Sequence, residues 1–176
     1  MDAATTTRAA VALTGAKIIA AVKQSGVEFV LSVPDIVTSA GLLFPIAEDK
    51  SLKLVRVCKE DECIGIASGL TYCDKRALVL IQYTGFLYSL NAIRGVAVEF
   101  KQPIVMMVGL LGHEAGRLPA ESGRFGVRIL EPICDAMGIE HHLISEDADV
   151  AMIKPAIDKA YKESAPVVFL VGRKPS

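Results

Sequence analysis

Short apolar segments alternate with helical patterns along this chain, and that alternation limits its fold more than any other feature. The apolar segments span 27–33, 52–57, 77–83, 103–109, 140–144 and 166–171. Most of them are continuous apolar runs, which is typical of strands buried on both faces of a parallel sheet. The sequence therefore predicts an α/β fold with three layers, in which a mostly parallel six-stranded sheet lies between two layers of helices.

The segments between the strands predict helices over 7–25, 36–47, 60–73, 86–100, 127–137 and 147–163, with Asp35 as the N-cap of the second. No linker, repeat or low-complexity segment interrupts the pattern. The length of 176 residues suits one domain with a sizeable core, so we expect a single domain over 1–176. The polar, glycine-containing segment 112–126 predicts a long irregular loop, and loops of this length often serve as functional lids.

Composition and charge exclude several classes of function. The net charge is −1 and the basic residues are scattered, which argues against a nucleic-acid-binding surface. The longest apolar runs are too short to cross a bilayer, and no signal peptide is visible. The four cysteines form no CxxC pair and lie far from the histidines, so we expect no zinc site and free thiols in a cytoplasmic protein.

Three segments that follow predicted strands hold the residues of greatest interest. They are Val33-Pro34-Asp35, Lys59-Glu60 and Tyr83-Thr84-Gly85. The carboxyl ends of parallel strands meet at one edge of a sheet, which is where open α/β sheets bind ligands. No glycine-rich phosphate loop and no G-x-S-x-G nucleophile motif occurs in the chain. The sequence thus predicts a ligand-binding edge that has no phosphate loop of its own.

Glu60 opens an acidic cluster, Glu60-Asp61-Glu62, at the start of a predicted helix rich in small residues. Carboxylates in the first turn of a helix are commonly there because the helix dipole favours them. That explanation suffices for Asp61 and Glu62. Glu60 also lies at the sheet edge that the three segments share, so a chemical role is an alternative explanation for it.

The chain resembles the pyrimidine-binding domain of thiamine diphosphate-dependent enzymes. Within them it is similar to the sulfopyruvate decarboxylase α subunit and to the matching half of phosphonopyruvate decarboxylase. The resemblance runs from the first helix, through Gly26-Val27-Glu28-Phe29-Val30-Leu31-Ser32-Val33-Pro34-Asp35, to the last strand. The family has a glutamate at the end of the second strand, followed by a small residue and a glycine at fixed offsets, and Glu60, Ala67 and Gly69 fit that spacing. The family's Gln-Asn-Ser-Gly segment reads Gln82-Tyr83-Thr84-Gly85 here, and its basic loop is replaced by residues 112–117.

The resemblance implies that Glu60 is the catalytic residue, which hydrogen-bonds the pyrimidine N1′ of thiamine diphosphate and activates the cofactor. It also implies that Pro34, Thr84 and Gly85 shape the pyrimidine pocket. The candidate substrate contacts that it implies are Asp35, Tyr83, Asn91 and His113. All of these except Asn91 have a simpler explanation: turn chemistry for the pocket residues, a helix cap for Asp35, sheet-edge packing for Tyr83 and a solvent-exposed loop position for His113.

The same resemblance implies a partner chain. The family holds the cofactor's diphosphate through Mg²⁺ on a second domain marked by Gly-Asp-Gly, and this sequence has no Gly-Asp-Gly. We therefore expect a separate β subunit to hold Mg²⁺ and diphosphate, with α dimers inside a hetero-oligomer. The mean hydropathy of +0.42 fits a chain that buries surface against other subunits.

The expected activity is a carboxy-lyase subunit that converts 3-sulfopyruvate to sulfoacetaldehyde and CO₂ and is active only with its β subunit. Phosphonopyruvate or another small 2-oxo acid is an alternative substrate. A non-catalytic regulatory or binding subunit that retains the fold is a further alternative, because Tyr83 and Thr84 depart from the family pattern.

Overall fold

A computed structural model of the protein describes residues 12–114 and 116–176, and its fold is a parallel α/β sheet covered by helices. The six strands, in chain order, are β1 (Val27–Ser32), β2 (Lys53–Arg56), β3 (Arg76–Gln82), β4 (Val105–Gly109), β5 (Glu140–Ile144) and β6 (Val167–Val171). They form one sheet in the order β2-β1-β3-β4-β6-β5, and every neighbouring pair is parallel. The six-stranded, three-layer prediction is therefore confirmed.

The helices occupy the connections between the strands. The α-helices are α1 (Gly15–Gln24), α2 (Phe44–Glu48), α3 (Glu60–Thr71), α4 (Tyr83–Tyr88), α5 (Leu90–Ala92), α6 (Phe125–Arg128), α7 (Leu130–Ala136) and α8 (Ile153–Glu163). Wider, π-helical segments cover Ser39–Leu43 and Ile93–Glu99, and 3₁₀ segments cover Pro119–Glu121 and Asp147–Met152. No helix in the described parts of the chain has the length and apolar content needed to cross a membrane.

Alternate residues of each central strand enter two separate cores. Leu78 and Leu80 of β3 face one core, which includes Ile18 of α1 and Ile157 of α8. Val79, the residue between them, faces the other core, which includes Ile64 of α3 and Leu130 of α7. A strand places successive side chains on opposite faces of its sheet, so burial on both sides explains why these strands are apolar throughout.

Several predicted boundaries are wrong. The helix predicted over 36–47 is a turn followed by the π-helical Ser39–Leu43 and α2, whereas the capping contacts expected of Asp35 are present, because its carboxylate accepts hydrogen bonds from the N–H groups of Val37 and Thr38. The third strand ends at Gln82, and Tyr83-Thr84-Gly85 forms the first turn of α4 rather than a loop. Segment 112–126 contains a 3₁₀ turn, and α6 begins at its end. Residues 7–11 of the first predicted helix lie outside the described residues.

Candidate active site

The three predicted segments lie together at the carboxyl edge of the sheet, because β2, β1 and β3 are parallel neighbours. Glu60 is the first residue of α3, directly after β2, and its side chain is half-buried. Gly85 lies in the first turn of α4, after β3. The fold thus brings Glu60 and Gly85 to the same edge from two different connections.

The side chain of Glu60 packs directly on the backbone of Gly85. A Cβ built on Gly85 would lie 2.3 Å from Cγ of Glu60 and 2.6 Å from its Oε1. Any residue other than glycine at position 85 would therefore displace this carboxylate. Within the described residues the Glu60 carboxylate has neither a side-chain hydrogen bond nor an ion pair, so its oxygens can accept one from a ligand.

Glu62, two residues later, serves the start of the helix. Its Oε2 accepts hydrogen bonds from the backbone N–H groups of Cys58 (2.9 Å) and Lys59 (3.3 Å). Those N–H groups stand at the helix terminus, where they lack partners within the helix, and the carboxylate supplies one. The two glutamates of the cluster thus differ in role, since one caps the helix and the other faces Gly85.

The negative charge of this cluster acts on the buried thiol of Cys63. Burial, together with the nearby carboxylates of Glu60 and Glu62, raises the pKa of Cys63 to about 12. A thiol with so high a pKa stays protonated near neutral pH and is a poor nucleophile. Cys63 is therefore a packing residue beneath the site.

Asp35 is held within its own turn. The residue is 7% exposed, and its Oδ1 accepts hydrogen bonds from the N–H groups of Val37 (2.5 Å) and Thr38 (3.1 Å), while its Oδ2 accepts one from the Thr38 hydroxyl. The carboxylate also lies against the end of β4, because a Cβ on Gly109 would stand 3.0 Å from Oδ1. These contacts give Asp35 a structural role, which ties the turn after β1 to β4.

The other predicted pocket residues lie around the same edge. Pro34 and Thr84 are exposed, and the Thr84 hydroxyl donates a hydrogen bond to Gln82 Oε1 at 2.9 Å. Tyr83 is half-buried, with its ring over Gly126, where a Cβ would lie 2.5 Å from Cε2 of the tyrosine. Asn91 is exposed, lies in α5 nine residues beyond the end of β3, and accepts a hydrogen bond from Arg94 at 3.1 Å. Asn91 is therefore the predicted contact that lies farthest along the chain from the edge.

His113 follows β4 and packs against the neighbouring strand end. A Cβ on Gly172, just after β6, would lie 3.2 Å from Cδ2 of the imidazole. Both ring nitrogens are shielded from solvent and find no hydrogen-bond partner among the described residues. Buried polar atoms are normally paired, so His113 is a site where a ligand group could complete the bonding.

The loop after β4 is closed by the carboxylate of Glu114. It accepts hydrogen bonds from Ser122 Oγ (2.7 Å) and from the N–H of Gly123 (3.0 Å), and these bonds lower the pKa of Glu114 to about 2. The loop then brings Arg124 across the backbone of Gly112, where a Cβ would lie 2.9 Å from the arginine Nε. The predicted irregular lid is thus a loop pinned at its base.

Sequence reasoning missed the close contacts made by Gly109, Gly112 and Gly126. Each of these glycines lies against a side chain from another part of the chain or of its own loop: Asp35 on Gly109, Arg124 on Gly112 and Tyr83 on Gly126. A glycine in a loop has no pattern that reveals which side chain will lie against it. The positive φ of Gly112 (77°) is the one local feature that would have required glycine in any case.

The described residues contain no group of three or more His, Cys, Asp or Glu side chains placed to hold a metal ion. The side chains at this edge can instead offer one unpartnered carboxylate, one imidazole without partners and one arginine.

Comparison with individual known proteins, rather than with family models, places the chain in a family. No family model matches it. It is 30% identical over 152 residues to a protein of Methanocaldococcus jannaschii named sulfopyruvate decarboxylase subunit alpha, a match that covers 85% of this chain and 88% of that protein. A protein of the same name from Methanococcus maripaludis is 29% identical over 115 residues, which covers 64% of this chain and 68% of that protein.

A third relative is longer. A protein of Methanosarcina acetivorans named sulfopyruvate decarboxylase, with no subunit in its name, is 24% identical over 159 residues, or 90% of this chain and 40% of that protein. The identity and coverage of the Methanocaldococcus jannaschii match, together with the parallel fold, settle the family. The chain belongs to the family of sulfopyruvate decarboxylase α subunits.

Proposed function

We propose that this chain is the α subunit of a thiamine diphosphate-dependent decarboxylase that converts 3-sulfopyruvate to sulfoacetaldehyde and CO₂, and that Glu60 activates the cofactor. One observation carries the proposal: the half-buried Glu60 carboxylate lies against Gly85 at the carboxyl edge of the sheet and has no side-chain partner among the described residues.

The residues at this edge fit the pyrimidine ring of the cofactor. A flat ring needs an open surface beside the group that binds it, and Gly85 leaves that surface because it has no side chain. A carboxyl group can share a proton with a ring nitrogen, and no other described side chain competes for the Glu60 oxygens. Glu60 and Gly85 would therefore hold the ring, with Pro34 and Thr84 beside it.

When bound, thiamine diphosphate supplies the carbon nucleophile and takes up the electron pair that remains when CO₂ leaves. The chain's own contribution is to bind the pyrimidine, to fix its orientation and to hold a proton between a Glu60 oxygen and N1′. Tyr83 packs on Gly126 and against the core that includes Ile64 and Leu130. Asp35, His113 and Asn91 remain candidate substrate contacts, and of these His113 has the most hydrogen-bonding capacity to offer.

A partner chain would supply the diphosphate and Mg²⁺ site. The names of two relatives contain "subunit alpha", and the match to the longer relative covers only 40% of its length. Both facts are explained if the diphosphate and Mg²⁺ site lies on a second polypeptide, separate from this chain. We propose a β subunit in that role, within a hetero-oligomer located in the cytoplasm.

The test is CO₂ release from 3-sulfopyruvate, phosphonopyruvate and pyruvate by the complex of this chain with its cognate β chain. Glu60→Gln should lower turnover by at least about 100-fold, because a lost proton-transfer group typically costs 10²–10⁴-fold. Glu62→Gln is the matched control, since it changes a carboxylate in the same helical turn that caps the helix. Size-exclusion chromatography should show both variants still assembled with β.

Near-wild-type turnover in Glu60→Gln would refute the role of Glu60. A second measurement tests the divided site without turnover. Calorimetry should find tight, Mg²⁺-dependent binding of thiamine diphosphate by the complex and only weak binding by the α chain alone. Tight Mg²⁺-dependent binding by the α chain alone would contradict the divided site.

A further inference from the structure

Arg124 stands at the same edge as Glu60, although 64 positions separate them in sequence. Two contacts place it there. Its side chain crosses Gly112 at the exit of β4, and Gly126, two residues later, lies under the ring of Tyr83 at the start of α4. Tyr83 in turn lies two residues before Gly85 in α4, and Glu60 packs on Gly85. The Arg124 side chain therefore lies just beyond the carboxyl end of β4, and its loop contacts α4, the helix whose first turn the proposed function assigns to the cofactor site.

The guanidinium of Arg124 has no hydrogen bond or ion pair with the described residues, a property that it shares with Arg56 and Arg117 but not with the other four described arginines. Arg76 and Arg94 form ion pairs, Arg128 donates to the carbonyl of Ser122, and Arg173 donates to that of Ser145. Among the cations near Glu60, Lys59 already lies over the ring of Tyr88, 5.8 Å from its centroid. Arg124 is thus a cation still available to a ligand at this edge.

The loop that carries Arg124 is held in place. Ser122 is 1% exposed, donates from its hydroxyl to Glu114, and accepts a hydrogen bond from the backbone N–H of Arg124 at 3.1 Å. The hydrogen bond from the Ser122 hydroxyl also keeps the Glu114 carboxylate bound within its own loop. Since the backbone at Arg124 is already ordered, a ligand that binds the guanidinium need not pay for ordering the loop.

The substrate of the proposed function has two anionic ends. The carboxylate leaves as CO₂, whereas the sulfonate stays on the product and must be recognised by a group that takes no part in the bond cleavage. A guanidinium presents several N–H donors in a planar fork, which suits the oxygens of such an anion better than an ammonium does. Resting on the proposed function, we infer that Arg124 binds the sulfonate of the substrate and thereby selects dianionic 2-oxo acids.

The experiment compares Arg124→Ala and Arg124→Lys with wild type in the α/β complex, on 3-sulfopyruvate and on pyruvate, which lacks the sulfonate. Arg124→Ala should lower kcat/KM for 3-sulfopyruvate by at least about tenfold, the usual scale for a hydrogen bond to a charged group, and change that for pyruvate by less than about twofold. Arg124→Lys should recover part of the loss. Arg117→Ala removes an exposed charge from the same loop and should change neither value.

A binding measurement by calorimetry separates this inference from the proposed reaction. Its probe is sulfoacetate, which carries a sulfonate and a carboxylate but cannot be decarboxylated as a 2-oxo acid. Sulfoacetate should bind the Arg124→Ala complex at least about tenfold more weakly than wild type, and this result would support the inference even where no acid is decarboxylated. Equal losses on 3-sulfopyruvate and pyruvate, or unchanged sulfoacetate binding in Arg124→Ala, would overturn it.

Discussion

Gly85→Ala should displace the Glu60 carboxylate with little other change. The new Cβ would stand 2.3 Å from Glu60 Cγ, which is about 1 Å short of the 3.4 Å at which ordinary contact begins. Overpacking of this kind costs about 1–3 kcal/mol, whereas alanine in place of glycine in a helix gains about 0.5–1 kcal/mol. The free energy of unfolding should therefore fall by about 1 kcal/mol. Because a misplacement of about 1 Å can cost 10²-fold in rate, turnover of the α/β complex should fall by about 100-fold.

A double-mutant cycle with Glu60→Ala isolates the contact from the reaction. Glu60→Ala removes the Cγ that the new methyl group meets, so in that background Gly85→Ala should become stabilising by about 0.5–1 kcal/mol. Urea unfolding of the four α chains measures this change of sign. Gly95→Ala is the matched control: its Cβ would meet no atom within 4 Å, and it should be mildly stabilising in both backgrounds.

Two results would refute the reasoning. If Gly85→Ala cost the same stability with and without the Glu60 side chain, the two residues would not be in contact. If the change of sign appeared but Gly85→Ala kept wild-type turnover, the position of the Glu60 carboxylate would not matter for the reaction.

Two further predictions concern the cysteines and Asp35. Cys58 and Cys73 are exposed and should react with an aromatic disulfide reagent at pH 8, whereas Cys63 and Cys134, whose pKa burial raises to about 12, should react only after unfolding. At that pKa about one thiol in 10⁴ is ionised at pH 8, and mass spectrometry that found native-state modification at Cys63 would contradict this. Asp35→Ala should lower the free energy of unfolding by about 1–3 kcal/mol, because two backbone N–H groups and the buried Thr38 hydroxyl lose their acceptor, and Asp35→Asn should cost less. Urea unfolding measures both variants, and an Asp35→Ala chain as stable as wild type would show that the turn does not need the carboxylate.

The sheet was predictable because each strand gives the same local signal, a short and mostly continuous apolar run. Strand β5 begins and ends where the sequence indicates, and the apolar runs of β4 and β6 admit few other structures. The segment Tyr83-Thr84-Gly85 was harder, because a glycine after a strand is typical of a loop, yet here the chain turns at once into α4. Asp35 makes the capping contacts that were predicted, with the N–H groups of Val37 and Thr38, but a π-helical segment follows and the α-helix starts only at Phe44.

The candidate site could be predicted only in part, for a related reason. Strand order alone brings Glu60 to the edge beside β1 and β3, so a parallel sheet already implies that neighbourhood. The contacts that define the site are instead side chains lying on glycine backbones, and they join residues 12 to 74 positions apart: Arg124 on Gly112, Glu60 on Gly85 and Asp35 on Gly109. A glycine gives no signal in the sequence of which side chain will lie against it, so no sequence pattern singled out Arg124.

The glycine contacts also explain how one edge can present charged groups of both signs without their neutralising one another. Glu60 rests on Gly85 and Arg124 on Gly112, so each side chain is positioned by backbone rather than by an opposite charge. A carboxylate paired with an arginine would have its oxygens occupied, and neither group could then bind a pyrimidine nitrogen or a sulfonate. Substituting alanine at Gly112, whose φ is 77° and whose Cβ would lie 2.9 Å from Arg124 Nε, would strain the backbone and move the guanidinium together. The carboxylate proposed to bind the cofactor and the guanidinium proposed to bind the substrate are thus each positioned at a glycine, where the chain has no side chain.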